Sequence, residues 1–317
     1  GIQQIKAHIT FHTNGELILW PYGYTKTNIP ADMTAGDYQA FVTMGRAMAA
    51  RNGYTAEQSS DLYITDGDQI DWLYGTQRIF SFTWELYPTE TPTVWGDHYP
   101  PDEVIATQTA RNRSALLYFL TVGSCPHQTI NRTIADCGPF FDDFEISRGW
   151  AGNPDGTDTA PANARFSRAD PQATTAYGVK IQPTGVVSGR YALVTGASAG
   201  SVANSNDLDG RSTVRSVPIA LPTTPGDLSF RYVFAHGPSS ADDTLQVFVE
   251  DEAKNRTLVW SIAGDSSVKA AQWVRAAVPM TDWAGQNIRI VIQATDGGTN
   301  SLVEVVVDDV RIERATG

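Results

Sequence analysis

The sequence is poor in cysteine, in basic residues and in long apolar runs. It has 2 cysteines among 317 residues, and 35 Asp and Glu outnumber 23 Lys and Arg, for a formal net charge of -12. Nucleic acids and anionic membranes bind proteins through clustered Lys and Arg, so we expect neither as a partner. No apolar run approaches the roughly 18 residues that a membrane span needs, and Gly1-Ile-Gln-Gln is not a charged leader. A membrane span and a signal peptide are therefore not expected.

The two cysteines, Cys125 and Cys137, lie close together in a stretch that contains proline and asparagine. One local cysteine pair, little lysine and much Ser, Thr, Gly and Asn are typical of extracellular bacterial proteins with a disulfide. The alternative is two unrelated thiols. A metal site made from them is not expected, because no other cysteine completes a ligand set. We therefore predict a secreted protein with one disulfide.

The first 138 residues alternate strand-like and helix-like segments. Asp32 and Thr34 offer helix caps before an apolar periodic run, and Asn52-Gly53 ends that run. Pro100-Pro101 begins a second helix, which ends at Gly123. Strands are predicted at 5–11, 17–20 and 79–86, and helices at 34–51 and 100–123. This pattern predicts an α/β domain with a partial mixed sheet and flanking helices.

The composition and the periodicity of the sequence change after Cys137. From Phe140 onward about nine strand-like runs are separated by Gly, Pro, Asn and Asp, without helical periodicity. They include residues 244–250, 287–293 and 302–313. Apolar and polar residues alternate in these runs, as expected where one face of each sheet is buried. The sequence therefore predicts a second domain at 139–317, an all-β sandwich of the jelly-roll type.

Side chains that can bind a metal or transfer a proton lie near strand ends in the first domain. His12 follows an alternating strand and precedes Thr-Asn-Gly, so its imidazole is predicted to project at the end of the strand. The period of two in residues 79–86 places Glu85 at the end of a small polar row. Such a carboxylate needs a partner or a water-filled cleft. Taken singly, a surface His12 and a salt-bridged structural Glu85 are the simpler interpretations.

The joint pattern resembles the carboxypeptidase A and T family of zinc peptidases, and the secreted bacterial branch in particular. His12 opens His-x-x-x-Glu-Leu-Ile-Leu-x-Pro-Tyr-Gly-Tyr, Tyr63 lies in Leu-Tyr-x-x-x-Gly-Asp-x-x-Asp-Trp, and Glu85 ends Phe-Thr-x-Glu. The resemblance runs from about residue 5 to 137. It implies that His12 is the third protein ligand of a zinc ion and that Glu85 is the general base that activates the zinc-bound water. Tyr63 would be a mobile tyrosine that hydrogen-bonds the substrate.

The resemblance also implies a pocket for the last side chain of a peptide, which the parent protein would remove. Ile70 would form an apolar wall, and Asp68 could pair with Lys or Arg, unless it is a turn residue that faces solvent. Asn14 departs from the aromatic residue that many relatives carry there. The residues implied to line the pocket are Leu19, Gly23, Leu62, Thr65, Asp68, Ile70 and Thr83.

The front half of such a site is not in this sequence. The family takes its other two zinc ligands from an upstream His-x-x-Glu motif, and none of the 5 histidines here is followed by Glu three positions on. The arginines that hold the substrate's terminal carboxylate are also missing. We therefore expect the C-terminal part of a zinc carboxypeptidase, inactive alone. The alternatives are a same-fold peptidase acting on cell-wall peptides, or a non-catalytic binding protein with a degenerate peptidase half.

The two ends of the β domain, Phe140-Phe-Asp-Asp-Phe-Glu145 and Val305 to Glu313, resemble the paired terminal strands of jelly-roll carbohydrate-binding modules. That resemblance implies a structural Ca²⁺ between the first and last strands, with ordinary solvated turn carboxylates as the alternative. The candidate ligands are Asp142, Asp143, Glu145, Asp308 and Asp309. The partners expected are peptide or protein substrates, together with polysaccharide or a cell surface unless the module only spaces the enzyme. The parent protein is expected to be a monomer.

Overall fold

The computed structural model describes residues 5–89, 98–131, 137–198, 203, 205–298 and 301–314. The chain divides into two compact units, Gln3–Cys137 and Gly138–Gly317. No helix in the described ranges is both long and apolar enough to cross a membrane.

The first unit is built on a mixed four-stranded sheet in the order β1–β4–β2–β3. β4 runs parallel to β1 and antiparallel to β2, and β2 runs parallel to β3. Its strands are β1 (Ala7–Thr13), β2 (Leu17–Trp20), β3 (Thr55–Gln58) and β4 (Phe80–Leu86), and its α-helices are α1 (Ala35–Asn52), α2 (Ser59–Leu62), α3 (Gln69–Gln77) and α4 (Ile105–Val122). Short 3-10 helices span Asp102–Val104 and Pro126–Ile130. This architecture confirms the predicted α/β class.

Helix α1 covers one face of the sheet and fixes β4. The Thr34 side chain accepts a hydrogen bond from the Asp37 amide, 3.0 Å away, and the helix ends at Gly53 in the left-handed region, as caps of these residue types do. Phe41 is fully buried, with its ring centroid 5.4 Å from that of Phe82 in β4. Since β4 carries Glu85, this packing sets the position of the candidate base.

Cys125 and Cys137 form a disulfide, with Cα atoms 5.1 Å apart, which confirms the predicted pair.

The second unit is a sandwich of two antiparallel sheets. One has the order β16–β13–β18–β10–β7 with β5 against β18, and the other β15–β14–β17–β11–β6 with β12 against β17, while β8 and β9 form a separate pair. The strands are β5 (Phe140–Asp142), β6 (Ala151–Gly152), β7 (Ser167–Ala169), β8 (Thr174–Ala176), β9 (Val179–Gln182), β10 (Ala192–Val194), β11 (Gly210–Arg215), β12 (Ile219–Ala220), β13 (Pro225–His236), β14 (Thr244–Glu250), β15 (Arg256–Ala263), β16 (Val274–Val278), β17 (Asn287–Asp296) and β18 (Val303–Arg314). A short 3-10 helix spans Thr281–Trp283.

Alternating apolar residues of both sheets fill the space between them. Val247 of β14, Ile290 of β17 and Phe230 of β13 are all buried in one core. First and last strands of the unit are neighbours, since Asp142 of β5 pairs with Val310 of β18. The predicted β-sandwich is therefore confirmed, and its jelly-roll connectivity stays a prediction.

Candidate active site

His12 and Glu85 lie side by side because of the pairing of β1 with β4. The two residues are direct partners in the parallel register, so their side chains project from the same face of the sheet. His12 Nδ1 lies 3.7 Å from Glu85 Oε1. The His12 side chain is 54% exposed and that of Glu85 14%. An accessible imidazole thus stands next to a largely shielded carboxylate, which suits a metal ligand and a general base.

One expectation about His12 was wrong in detail. We expected it to follow the strand, but β1 runs on to Thr13 and includes it. The pairing with β4 continues to Leu86, and this extends the strand through the histidine. His12 is therefore positioned more firmly than expected, because a residue inside a paired strand moves less than one in a turn.

A cavity beside these strands opens on the opposite face. It measures about 900 Å³ and is lined by Phe11 and Thr13 of β1, Leu86 of β4 and much of α4. Successive residues of a strand point to opposite sides, so neighbours of His12 and Glu85 contribute to the cavity while His12 and Glu85 face away. The candidate site is therefore distinct from this cavity.

Tyr63 directly follows α2 and is 64% exposed. Its phenol is accessible to a ligand, as the role implied by the resemblance requires. Participation of Tyr63 in substrate binding stays a prediction.

Several residues implied to line the pocket are brought together around Gly23. A Cβ atom added at Gly23 would lie 2.8 Å from Thr65 Cγ2 and 3.4 Å from Asp68 Oδ2, so this close approach requires glycine. The Thr65 amide donates to the Gly23 carbonyl, 3.2 Å away. Leu19 pairs with Thr83 across β2 and β4. Of the other two, Leu62 is half-buried in α2 and Ile70 is fully buried in α3.

Asp68 has a structural task. Its Oδ1 accepts a hydrogen bond from the Ile70 amide at 3.1 Å and caps α3, while Oδ2 accepts one from Ser59 Oγ at 3.3 Å. It is therefore not a turn residue that simply faces solvent. If Asp68 also determines substrate specificity, it does so while it caps α3.

Sequence reasoning missed Asp71. Both of its carboxylate oxygens lie 2.9 Å from the Gly23 amide, and Oδ2 also accepts from the Tyr24 amide at 3.1 Å. Burial raises the pKa of Asp71 to about 6. The available signals were its fixed position in the motif Gly-Asp-x-x-Asp-Trp and its place in the first turn of α3, three residues after the cap. Asp71 anchors the segment around Gly23.

In the second unit, the carboxylates predicted to bind calcium are bonded to protein donors instead. Asp142 accepts from Trp150 Nε1 and from the Phe144 amide, both at 2.8 Å. Asp308 accepts from the amides of Val187 and Ser188. The remaining members behave alike: Asp143 accepts from the Glu145 amide, Glu145 from the Arg190 and Tyr191 amides, and Asp309 from Ser188 Oγ. Calcium at this position therefore has no support from the structure.

Four tryptophans of the second unit have rings of the kind that can stack on a sugar, but they pack against apolar cores. Trp150, Trp260 and Trp283 pack against the main core of the sandwich, and Trp273 packs against the smaller one. Their positions do not identify a carbohydrate site.

A zinc site of the expected kind is only partly represented. Among the described residues, no three or more His, Cys, Asp or Glu side chains converge to hold a metal ion. The exposed imidazole of His12 beside a carboxylate fits one corner of a site with three protein ligands. The other two ligands are not found in the described ranges.

Residues 2–115 match the family model for zinc carboxypeptidases. The zinc carboxypeptidase of Saccharothrix mutabilis subsp. capreolus is 51% identical over 42% of this chain and 30% of its own length. Another, from Simulium vittatum, is 36% identical over 33% of this chain and 34% of its own length. The chain thus spans about a third of these curated relatives.

The β-sandwich has weaker similarities. A xylan-binding domain from Paenibacillus barcinonensis covers 56% of this chain and 96% of that domain, with 16% identity and a TM-score of 0.30. A TM-score of this size carries no conclusion about the module. The matches to the first unit are the ones that bear on its chemistry: residues 2–115 are similar to zinc carboxypeptidases.

Proposed function

We propose that the chain is the C-terminal part of a zinc metallocarboxypeptidase that hydrolyses the last peptide bond of peptides or proteins. The observation that carries this proposal is the register of β1 and β4, which sets His12 and Glu85 side by side with 3.7 Å between Nδ1 and Oε1. A ligand and a base on neighbouring strands can act on the same water molecule.

Each residue has a defined task in this proposal. The His12 imidazole is one of three protein ligands of a zinc ion, which when bound lowers the pKa of its water to about 7 and polarises the scissile carbonyl. The Glu85 carboxylate would accept a proton from the attacking water and return it to the leaving amine. Tyr63 donates a hydrogen bond to the substrate from its accessible position after α2.

We further infer that the protein is secreted and that the enzyme acts as a monomer. The Cys125–Cys137 disulfide supports export, because such bonds persist in oxidising compartments. The acidic composition is compatible with this location.

The proposal is tested by a chimera that joins the upstream part of the Saccharothrix enzyme to this chain. The chimera should hold about one zinc ion and cleave blocked dipeptides. The 317-residue chain alone should be inactive and should lose zinc on dialysis, since one imidazole cannot replace three ligands. Metal analysis measures the zinc content, and a dipeptide assay measures the hydrolysis.

A folded chimera that binds zinc but cleaves only cell-wall peptides would favour the same-fold alternative. A chimera with zinc and no hydrolysis of either substrate class would favour a degenerate binding protein. Stoichiometric zinc in the isolated chain would show that the chain itself completes the site.

A further inference from the structure

A buried polar cluster lies inside the second unit and contains none of the carboxylates that the sequence pattern associated with calcium. It consists of Gln182 at the end of β9, Asp207 before β11, and Glu304 in β18. These residues are 0%, 7% and 2% exposed. Each presents oxygen atoms, and the cluster contains no sulfur or imidazole ligand.

The hydrogen bonds within the cluster leave oxygens without a donor. Gln182 Nε2 donates to the carbonyls of Thr195 and Gly196, at 3.0 and 3.3 Å, and lies 3.4 Å from Glu304 Oε2. These carbonyl contacts fix the orientation of the amide. Gln182 Oε1 and Asp207 Oδ2 are both buried and have no hydrogen-bond partner among the residues that the structure describes. Leaving such atoms unsatisfied is costly, which points to a missing partner.

The cluster also lacks a compensating positive charge. No ion pair with Asp207 or Glu304 occurs in the part of the chain that the structure describes. Burial and the nearby Asp207 raise the pKa of Glu304 well above its usual value. Two carboxyl groups therefore share a shielded site in which a cation would relieve their repulsion.

We propose that Asp207, Glu304 and the Gln182 carbonyl oxygen bind a structural Ca²⁺ ion in the β-sandwich. Hard carboxylate and amide oxygens are the ligands that Ca²⁺ takes, in flexible geometry, whereas Mg²⁺ demands a near-ideal octahedron and Zn²⁺ favours nitrogen and sulfur. The site joins β9, the segment before β11 and β18, so the ion would tie together distant parts of the unit. This inference does not depend on the peptidase activity.

The test is a calorimetric titration of the EGTA-treated full chain with CaCl2, and with MgCl2 for comparison. One Ca²⁺ should bind per chain. At a calcium concentration about a hundredfold above the Kd, the melting temperature of the sandwich should rise by roughly 5–10 °C. Absence of calcium binding by the wild-type chain would overturn the proposal.

Variants locate the site. Glu304→Gln and Asp207→Asn should each weaken calcium binding at least tenfold. If circular dichroism shows that one variant is misfolded, the other variant decides the test. Asp143→Asn, which alters the set implied by the sequence, should bind calcium like the wild type. Loss of binding in Asp143→Asn with retention in both other variants would place the ion elsewhere and refute this site. Failure of the chimera to hydrolyse peptides would leave this result unaffected.

Discussion

Asp296 is a buried carboxylic acid at the end of β17 that faces a second acid. Ser301 Oγ donates to Asp296 Oδ1 at 3.1 Å and to Asp243 Oδ2 at 2.9 Å. Burial, and then the hydrogen bond and charge of Asp243, raise the pKa of Asp296 to about 7. At pH 5 Asp296 is protonated and can donate a hydrogen bond to Asp243. At pH 8 both groups are ionised, and the two carboxylates repel each other.

This arrangement predicts a pH-dependent loss of stability. The folded-state pKa of Asp296 is raised, so the stability of the sandwich should fall as the pH rises from about 4 to 7. Asp296→Asn cannot ionise and should be more stable than the wild type at pH 8 by on the order of 1–3 kcal/mol, with a smaller gain at pH 5. Urea unfolding at both pH values measures the difference. Asp242→Asn, an exposed neighbour, is the matched control, and an equal gain there would contradict the explanation.

The effect of the Asp68 charge on specificity can be tested while the helix cap is kept. Asparagine caps helices as well as aspartate does, so Asp68→Asn should keep the hydrogen bond to the Ile70 amide while it removes the negative charge and the acceptor for Ser59 Oγ. In the chimera, it should lower kcat/KM for peptides ending in Lys or Arg and spare those ending in Phe or Leu. Asp66→Asn, nearby and exposed, should change neither. Equal losses on both substrate types would refute a specificity role.

At the scale of elements, the outer face of α4 is apolar, and the described residues of the first unit leave it uncovered. Leu116, Leu117 and Leu120 are exposed on it, while Ala115 and Phe119 face the core. β1 is also an edge strand of the sheet. Exposed apolar faces and open strand edges promote association.

We therefore expect the isolated chain to self-associate, and Leu120→Glu to reduce this by placing a charge on the apolar face. Thr107→Glu adds the same charge at an exposed position of α4 on another side, and should have little effect. Light scattering over a concentration series measures the change. A wild-type chain that is monomeric throughout would contradict the expectation.

Elements with strong local signals were predictable. β2 and β14 have the bounds predicted from the sequence, because continuous or alternating apolar residues define them. α3 and β3 were not predicted. α3 has few periodic apolar residues, and β3 is a short polar strand held by its pairing with β2. The short strands of the sandwich similarly depend on neighbours distant in sequence.

At the scale of the whole molecule, the candidate site could be predicted only where a family motif marked it. His12 and Glu85 are 73 positions apart in sequence, and the motifs identified both before their register was known. Asp71 lies in the motif around Tyr63, but the motif gave it no role, and the cluster of Gln182, Asp207 and Glu304 carried no mark at all. Their chemistry arises from burial and from contacts between remote segments, which composition and periodicity do not contain.

The most direct test of the central claim compares two substitutions in the chimera. Glu85→Gln should abolish peptide hydrolysis while about one zinc ion per chain is retained, because the base is lost and the ligand kept. His12→Ala should lose both zinc and hydrolysis. Zinc content and turnover are measured on the same folded samples. Substantial hydrolysis by Glu85→Gln, or full zinc content in His12→Ala, would contradict the roles assigned to these two residues.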